Sequence, residues 1–243
     1  MKAIYEPTGK AREFGDLACN LYQGCGHGCV YCYVPTSPWV DREDFMNPRP
    51  RKGILEQLAK DAKKYAGSKV PIFLSFTSDP YQPLEETEGL TRKAIEILTE
   101  NGCAINVLTK GGLRAARDFL ILQLNPLNWF GVTLTDRLSS SQEPNAATPF
   151  DRITALYRAK HNYGLNTWIS FEPILSPSAV LGMIRATMSY CDLYKIGKLN
   201  HRSDMGPTEA ELRKFLKEAV ELLESNGKEY YIKLDTRPFL LRG

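Results

Sequence analysis

The strongest constraint on the fold is a repeated alternation of short β-branched or aromatic runs with amphipathic helical segments, from about residue 17 to the end of the chain. This periodicity predicts six strands and a weaker seventh. The predicted strands are residues 17–22, 70–76, 104–109, 129–135, 166–171 and 193–197, with the weaker one at 230–234. Between strands, apolar side chains such as Ile54, Leu58 and Ala62 share one helical face. We therefore expect helices that cover one sheet.

Repeated strand and helix units with right-handed crossovers form a parallel sheet, either open or rolled into a barrel. Six to seven units favour an α/β fold of the incomplete (β/α)6 TIM-type barrel class with parallel strands. A chain of 243 residues is long enough for one such domain, which we assign to residues 1–243. In parallel barrels the chemistry gathers at the carboxyl ends of the strands, so functional residues are expected there.

Composition narrows the class of protein and its location. The chain is 43% apolar and 24% charged, which is typical of a soluble globular protein and not of a disordered or fibrous one. Its apolar runs have the length of strands, and residues 1–16 contain no apolar signal core. We therefore expect no membrane association and a cytoplasmic location. A formal net charge of +3 does not by itself indicate a nucleic-acid partner.

Three of the six cysteines lie together directly after the first predicted strand, in the segment Cys25-Gly-His-Gly-Cys29-Val-Tyr-Cys32. In a reducing compartment, grouped thiols serve metals or catalysis. The two glycines allow a short loop to wrap around an inorganic cluster and direct three thiolates inward. Three protein ligands for four irons would leave one iron open, whereas a structural zinc ion takes four protein ligands.

Two other interpretations of these thiols stay open at this point. His27 could complete a zinc site, although it lies between the first two cysteines, or the thiols could simply be buried. The remaining cysteines do not join the group. Cys103 and Cys191 fall at the starts of strands three and six, and Cys19 lies inside strand one. We interpret all three as small buried apolar residues.

The cysteine spacing, with an aromatic residue before the last cysteine, resembles the signature of the radical S-adenosylmethionine (SAM) superfamily. The segment 24–33 is similar to the cluster loop of spore photoproduct lyase and its DNA-photolyase-like relatives. Two further blocks, TSDPYQPLE at 77–85 and TK at 109–110, are also similar to that family. The resemblance covers about residues 4–140. It implies a single radical SAM domain. Within this domain we predict two loops at the mouth of the barrel, residues 34–53 and 136–148, and we expect the second loop to act as a lid.

The resemblance implies cofactors, a reaction and an electron donor. Cys25, Cys29 and Cys32 would hold a [4Fe-4S] cluster, and SAM would chelate the fourth iron. One-electron reduction by a low-potential donor such as flavodoxin or ferredoxin would cleave SAM to methionine and a 5′-deoxyadenosyl radical. That radical would abstract a hydrogen atom from the substrate.

Five further residues are expected to bind SAM on the same grounds. Thr77, Ser78 and Asp79 lie where the superfamily binds the methionyl amino group. Lys110 would pair with the methionyl carboxylate, a role that suits a lysine point charge at a strand end. Thr133 would offer its hydroxyl to the same end of SAM, or it is a strand residue that reflects β-propensity alone.

Tyr31 and Glu172 are the candidate catalytic residues. Tyr31 would pack near the adenine or the cluster, or it is only a packing anchor. Glu172 ends the fifth strand and would point into the mouth, where burial raises the pKa of a carboxyl group. It would hold a ribose hydroxyl of SAM, act as an acid or base, or form an ion pair with Lys195 or Lys198.

The prediction of the substrate class rests on two weaker features of the sequence. Spore photoproduct lyase has a hydrogen-donating cysteine immediately before its Thr-Ser-Asp stretch, and this chain has Phe76 there. Basic residues at the mouth would attract nucleic-acid phosphates or form an ordinary solvated surface. They are Lys110, Arg137, Lys195, Lys198, Arg202 and Lys233. The hypotheses are a radical SAM enzyme acting on a nucleic acid or nucleotide, the same chemistry on a small molecule or peptide, and a non-catalytic metal-binding module or redox sensor.

Overall fold

The structure, a computed structural model, describes residues 2–136, 141–200 and 205–241. In chain order the strands are β1 (Ile4–Tyr5), β2 (Leu17–Cys19), β3 (Tyr22–Gln23), β4 (Arg49–Pro50), β5 (Ile72–Leu74), β6 (Ile105–Thr109), β7 (Trp129–Thr133), β8 (Asn166–Phe171), β9 (Leu193–Ile196) and β10 (Glu229–Ile232). The helices are α1 (Arg42–Met46), α2 (Ile54–Ala62), α3 (Glu85–Glu88), α4 (Leu90–Glu100), α5 (Phe119–Leu122), α6 (Pro149–Tyr163), α7 (Pro177–Thr187), α8 (Glu209–Ser225) and α9 (Arg237–Leu241). Short 3₁₀ segments occur at Gly9–Glu13, Val34–Thr36, Lys63–Tyr65 and Gly112–Asp118.

One sheet carries the fold, with the strand order β1-β2-β5-β6-β7-β8-β9-β10. The seven strands from β2 to β10 in this order are parallel, and β1 is antiparallel to β2. Within the described residues β1 and β10 do not pair, so the barrel is incomplete. The predicted class is confirmed, and the weaker seventh strand is present as β10.

The predicted first strand was too long. Residues 17–19 form β2, whereas Tyr22 and Gln23 leave the main sheet and pair as β3 with β4 in a separate two-stranded sheet. The sequence analysis also missed β1. Strands of two residues show no alternation of polar and apolar side chains, so periodicity cannot reveal them.

The interior of the barrel contains a small aromatic cluster, separate from the larger core between sheet and helices. Phe73 and Trp168 are buried in it, and Phe14 packs against both. Phe14 follows the 3₁₀ segment Gly9–Glu13, where the Glu13 carboxylate accepts hydrogen bonds from the Tyr231 hydroxyl and the Leu234 amide. Because this segment follows β1 at one sheet edge and is bonded to β10 at the other, it bridges the open side of the barrel.

Among the residues the structure describes, no helix combines the length and apolar character that a membrane span requires.

Candidate functional site

A cavity of about 440 Å³ lies where the parallel strands end. Its walls come from the loop after β2 and β3 and from the residues that end or follow β5 to β10. All ten predicted site residues line it, namely Cys25, Cys29, Tyr31, Cys32, Thr77, Ser78, Asp79, Lys110, Thr133 and Glu172. The structure therefore brings these side chains together at the end of the sheet where the sequence analysis looked for them.

The cysteine loop is held from several sides by backbone hydrogen bonds. The Cys25 amide donates to the Phe45 carbonyl at 2.8 Å. The Gly26 amide donates to the side-chain oxygen of Gln82, which is fully buried, at 2.7 Å. Gly28 has a φ of +70°, and a Cβ atom there would lie 3.1 Å from the side chains of Met46 and Pro144. A glycine is therefore required for both conformation and space.

Residues 142–147, which we call the clamp segment, bind the same loop from the opposite side. The Val30 amide donates to the Gln142 carbonyl at 2.9 Å. The Asn145 amide donates to the His27 carbonyl, and its side chain donates to the Gly26 carbonyl. At the other end of the segment, the Ala147 amide donates to the Lys110 carbonyl at 2.9 Å. This described part of the predicted mouth loop 136–148 thus connects the cysteine loop to the end of β6.

The three thiols are free and partly buried. Burial raises the pKa of Cys25 to about 12 and that of Cys29 to about 11, and it also raises the pKa of Cys32. Thiols in this environment are protonated at neutral pH until a metal ion binds them, because a coordinated thiol loses its proton.

Within the described residues, His27 does not join the three thiols in a site for one metal ion. Its side chain is buried, and burial lowers its pKa to about 4. Its Nδ1 lies 3.5 Å from a carboxylate oxygen of Asp79, and its Nε2 has no hydrogen-bond partner. Among the described residues, no three histidine, cysteine or acidic side chains converge as ligands of one metal ion. Thiolates that each bind a different iron of a cluster need not converge, so the donor geometry fits a cluster better than a single zinc ion.

Asp79 differs from its two neighbours. Its Oδ1 accepts hydrogen bonds from the Tyr81 amide at 2.8 Å and the Thr109 hydroxyl at 2.6 Å, and its Oδ2 accepts from the Lys110 amide at 2.7 Å. The Thr77 and Ser78 hydroxyls, by contrast, are buried and have no hydrogen-bond partner in the part of the chain that the structure describes. Asp79 therefore joins the ends of β5 and β6, whereas the two hydroxyls are unsatisfied groups that a ligand could complete.

A buried ion pair behind Tyr31 escaped the sequence analysis. Arg152, with 0% exposure, donates to Glu143 at 2.5 Å and also to the carbonyls of Thr133 and Ala147. Glu143 also accepts a hydrogen bond from the Tyr31 hydroxyl. A buried arginine is rare and would have been a signal, but the sequence does not show that Arg152 is buried.

Lys110 presents its ammonium group over the ring of Tyr31, 5.6 Å from the ring centroid. Burial by itself would lower the pKa of Lys110, but nearby Cys29 and Glu143 raise it overall. Within the described part of the chain, its Nζ atom has no hydrogen bond or ion pair. It therefore faces the cavity as a charged group ready for an anion.

The far end of the cavity is lined by aromatic and aliphatic groups. Phe76 stacks on Phe73 with ring centroids 4.4 Å apart. Beside them, an oxygen of Glu172 lies 3.5 Å from the Lys233 ammonium but has no hydrogen bond, and burial raises the pKa of Glu172. A Cβ atom at Gly197 would lie 2.9 Å from the Glu172 carboxyl carbon and 3.0 Å from Lys233 Cγ. The glycine therefore makes room for this pair.

Two expectations about basic residues were wrong. The ion-pair partner of Glu172 is Lys233, not Lys195 or Lys198. Lys195 points into the barrel, where it donates to the Glu13 carbonyl and where burial lowers its pKa to about 8. Lys233 has 1% exposure and lies between Glu13 and Glu172. These two lysines do not form an exposed rim, and the two predicted rim arginines, Arg137 and Arg202, lie outside the described residues.

Comparison with known proteins gives a consistent result. The family model of the Radical SAM superfamily matches residues 19–177. An uncharacterized protein of Acidianus two-tailed virus is 28% identical over 199 residues, which is 72% of this chain and 62% of the relative. An uncharacterized protein of Mycobacterium tuberculosis is 27% identical over 172 residues, 64% of this chain and 48% of the relative. The chain spans only about half to three-fifths of the length of these relatives.

Two solved structures share the fold. A double mutant of spore photoproduct lyase with bound AdoMet and dinucleoside spore photoproduct has a TM-score of 0.69 at 14% identity, covering 93% of this chain and 78% of that chain. Streptococcus suis SuiB bound to S-adenosylmethionine has a TM-score of 0.59 at 11% identity, covering 88% of this chain and 45% of that chain. At these sequence identities, the similarity shows a shared fold only.

Proposed function

The chain belongs to the radical SAM superfamily, and on this premise we propose that it is an enzyme that cleaves SAM reductively and abstracts a hydrogen atom from a substrate. The family implies both SAM and a [4Fe-4S] cluster. One observation carries the proposal. Three free thiols, two unsatisfied hydroxyls and an ammonium group without a direct partner among the described residues all line one cavity at the strand ends.

The residues present fit these groups. Cys25, Cys29 and Cys32 would hold the cluster, and the donor geometry favours it over one zinc ion. When bound, the cluster and SAM supply the electron and the 5′-deoxyadenosyl radical for hydrogen abstraction. The thiol loop is partly buried, which would reduce the access of water to this end of the cavity and limit side reactions of a radical.

The protein's own groups would bind and orient SAM. Lys110 would hold its carboxylate, because a half-buried ammonium without a direct partner among the described residues gains from an anion. The Thr77 and Ser78 hydroxyls would complete their hydrogen bonds on its polar end, with Thr133 nearby on β7. For Asp79 we propose an indirect role, since its oxygens already accept hydrogen bonds from the protein.

The far end of the cavity would take the substrate. Tyr31 would flank SAM through its ring, and Glu172 would accept a hydrogen bond from a ribose hydroxyl or a substrate group with the oxygen that is paired with Lys233 but has no hydrogen bond among the described residues. A nucleic acid or nucleotide is the first substrate class, supported by the shared fold with spore photoproduct lyase. A small molecule or peptide is the second, favoured by the burial of Lys195 and Lys233, which removes part of the expected basic rim.

Anaerobic reconstitution tests the reaction class. The protein should bind about four irons per chain and, with dithionite, release 5′-deoxyadenosine from SAM. An intact cluster without SAM cleavage would leave the non-catalytic module as the better hypothesis. Zinc bound in a closed shell would contradict the proposal altogether.

Substrate class needs a separate experiment. SAM deuterated at the 5′ position should exchange label with the substrate position that is attacked, so candidate oligonucleotides, nucleotides and peptides can be compared directly. If an oligonucleotide is the substrate, its binding should weaken steeply as salt rises. Exchange with a small molecule, together with no salt-dependent oligonucleotide binding, would favour the second class.

A further inference from the structure

The Glu143–Arg152 pair is unusual because both side chains are buried, with exposures of 1% and 0%. Burying two charges costs much of the energy that their attraction returns, unless the remaining polar atoms are also satisfied. Here they are satisfied, because Arg152 also donates to the carbonyls of Thr133 and Ala147. The pair is thus a fully bonded unit directly behind the cysteine loop.

This unit connects the parts that would meet the cofactors. One Glu143 oxygen binds Arg152 and the other accepts the Tyr31 hydroxyl. Glu143 belongs to the clamp segment, which is bonded to the cysteine loop at Val30 and His27. Arg152, near the start of α6, reaches the last residue of β7. A single ion pair therefore ties together the cysteine loop, the clamp segment and the sheet.

The same unit supports Lys110. The clamp segment binds the Lys110 carbonyl through Ala147, and the ring of Tyr31 lies under the ammonium group. Since the ammonium has no direct anionic partner among the described residues, its position depends on these two supports. Glu143 does not line the cavity itself, so it would act through Tyr31 and the clamp segment.

We propose that Glu143, fixed by Arg152, is a positioning residue. It holds Tyr31, the cysteine loop and the Lys110 ammonium in the arrangement that SAM binding requires. The inference rests on the proposed function for its ligand. The arrangement of the loop, however, can be measured without any cofactor. Glu143 takes no part in bond breaking.

The test combines two variants with two measurements. Glu143→Gln removes the charge that holds Arg152, and Tyr31→Phe removes only the hydroxyl. In reconstituted protein with equal cluster content, Glu143→Gln should weaken SAM binding roughly 10–100-fold, the usual cost of losing a group that orients metal ligands. In metal-free protein, it should speed iodoacetamide alkylation of Cys29 and Cys32. The double variant should behave like Glu143→Gln alone, because the Tyr31 hydroxyl acts through Glu143.

Two controls separate positioning from stability. Glu96→Gln removes an exposed carboxylate that is also paired with an arginine, Arg92, and should change neither measurement. Leu223→Ala, in the core of α8, should lower thermal stability but keep wild-type SAM affinity and alkylation rates. Wild-type values in Glu143→Gln, or changes no larger than those of Leu223→Ala, would overturn the proposal.

Failure of the proposed function would look different. If the wild-type protein bound no SAM while Glu143→Gln still accelerated alkylation, the loop-holding role would stand and the assignment of SAM would fall. If SAM bound normally and alkylation did not respond, the positioning role would fall and the proposed function would stand.

Discussion

At the end of the cavity that contains the cysteines, amides of the loop donate hydrogen bonds to the Phe45 carbonyl and the Gln82 side chain, and the clamp segment is also hydrogen-bonded to the loop. At the far end, aromatic rings pack against each other, and the Glu172 carboxylate is paired with the Lys233 ammonium at 3.5 Å but has an oxygen without a hydrogen bond among the described residues. The cysteine loop is thus held by the protein's own hydrogen bonds, whereas the far end consists of packed rings and a buried ion pair, and polar groups without a hydrogen bond among the described residues occur at both ends. This difference suggests that the first end serves the chemistry common to the superfamily and the second selects the substrate.

The largest effect is expected at the cysteine end. Cys29→Ala should abolish both cluster binding and SAM cleavage, because the loop would keep only two thiolates. Iron content and 5′-deoxyadenosine release measure the two losses. Cys103→Ala is the matched control, since this buried cysteine precedes β6 at the opposite end of the barrel and should leave both unchanged. A fully loaded and active Cys29→Ala protein would mean that the cluster is held elsewhere.

Lys110→Ala separates cofactor binding from cluster binding. A hydrogen bond to a charged group contributes about 1.5–3 kcal/mol, so SAM affinity should fall roughly tenfold or more while the iron content stays normal. SAM titration of the reconstituted protein gives the change. Lys214→Ala, on an exposed part of α8, is the control. Unchanged affinity would remove Lys110 from the site.

Gly197→Ala tests the role of the far end of the cavity. Its new Cβ would press on Glu172 and Lys233, and overpacking of this kind costs about 1–3 kcal/mol. We expect a lower unfolding temperature and loss of label transfer to substrate, but normal iron content and SAM cleavage without substrate. Gly15→Ala is the control, because its Cβ would meet neighbours at an ordinary 3.7 Å. Loss of the cluster in Gly197→Ala would show that the two ends are not independent.

The smallest expected effect is on how the stability of the protein changes with pH. Because burial raises the pKa of Glu172 in the folded protein, the folded state holds a proton that the unfolded state loses as the pH rises above the ordinary carboxyl pKa of 4.5. Wild-type stability should therefore fall relative to Glu172→Gln as pH rises from 4.5 through the raised value, and then level off. Thermal unfolding of both proteins across this range measures the difference. A difference that grows in favour of the wild type would reverse the sign and contradict a raised pKa.

Several features could be predicted because they depend on local sequence. Alternating strands and helices predicted the parallel incomplete barrel, and strand ends correctly located the cavity. The pairing of Glu172 with Lys233 was missed, because the two residues follow different strands, β8 and β10, which are separated by β9 in the sheet. For the same reason, the basic residues at 195 and 233 were expected at the surface although the fold turns both inward.

By itself, the sequence determined the order of strands and helices and the grouping of three thiols, since hydrophobic periodicity and close spacing are local properties of the chain. Only the tertiary structure decided which charges are buried together. Glu143 binds the Tyr31 hydroxyl from more than a hundred residues away along the chain, and Arg152 joins them through Glu143. The strength of these contacts depends on the exclusion of water. That exclusion exists only after the sheet, the clamp segment and the loop have packed around them.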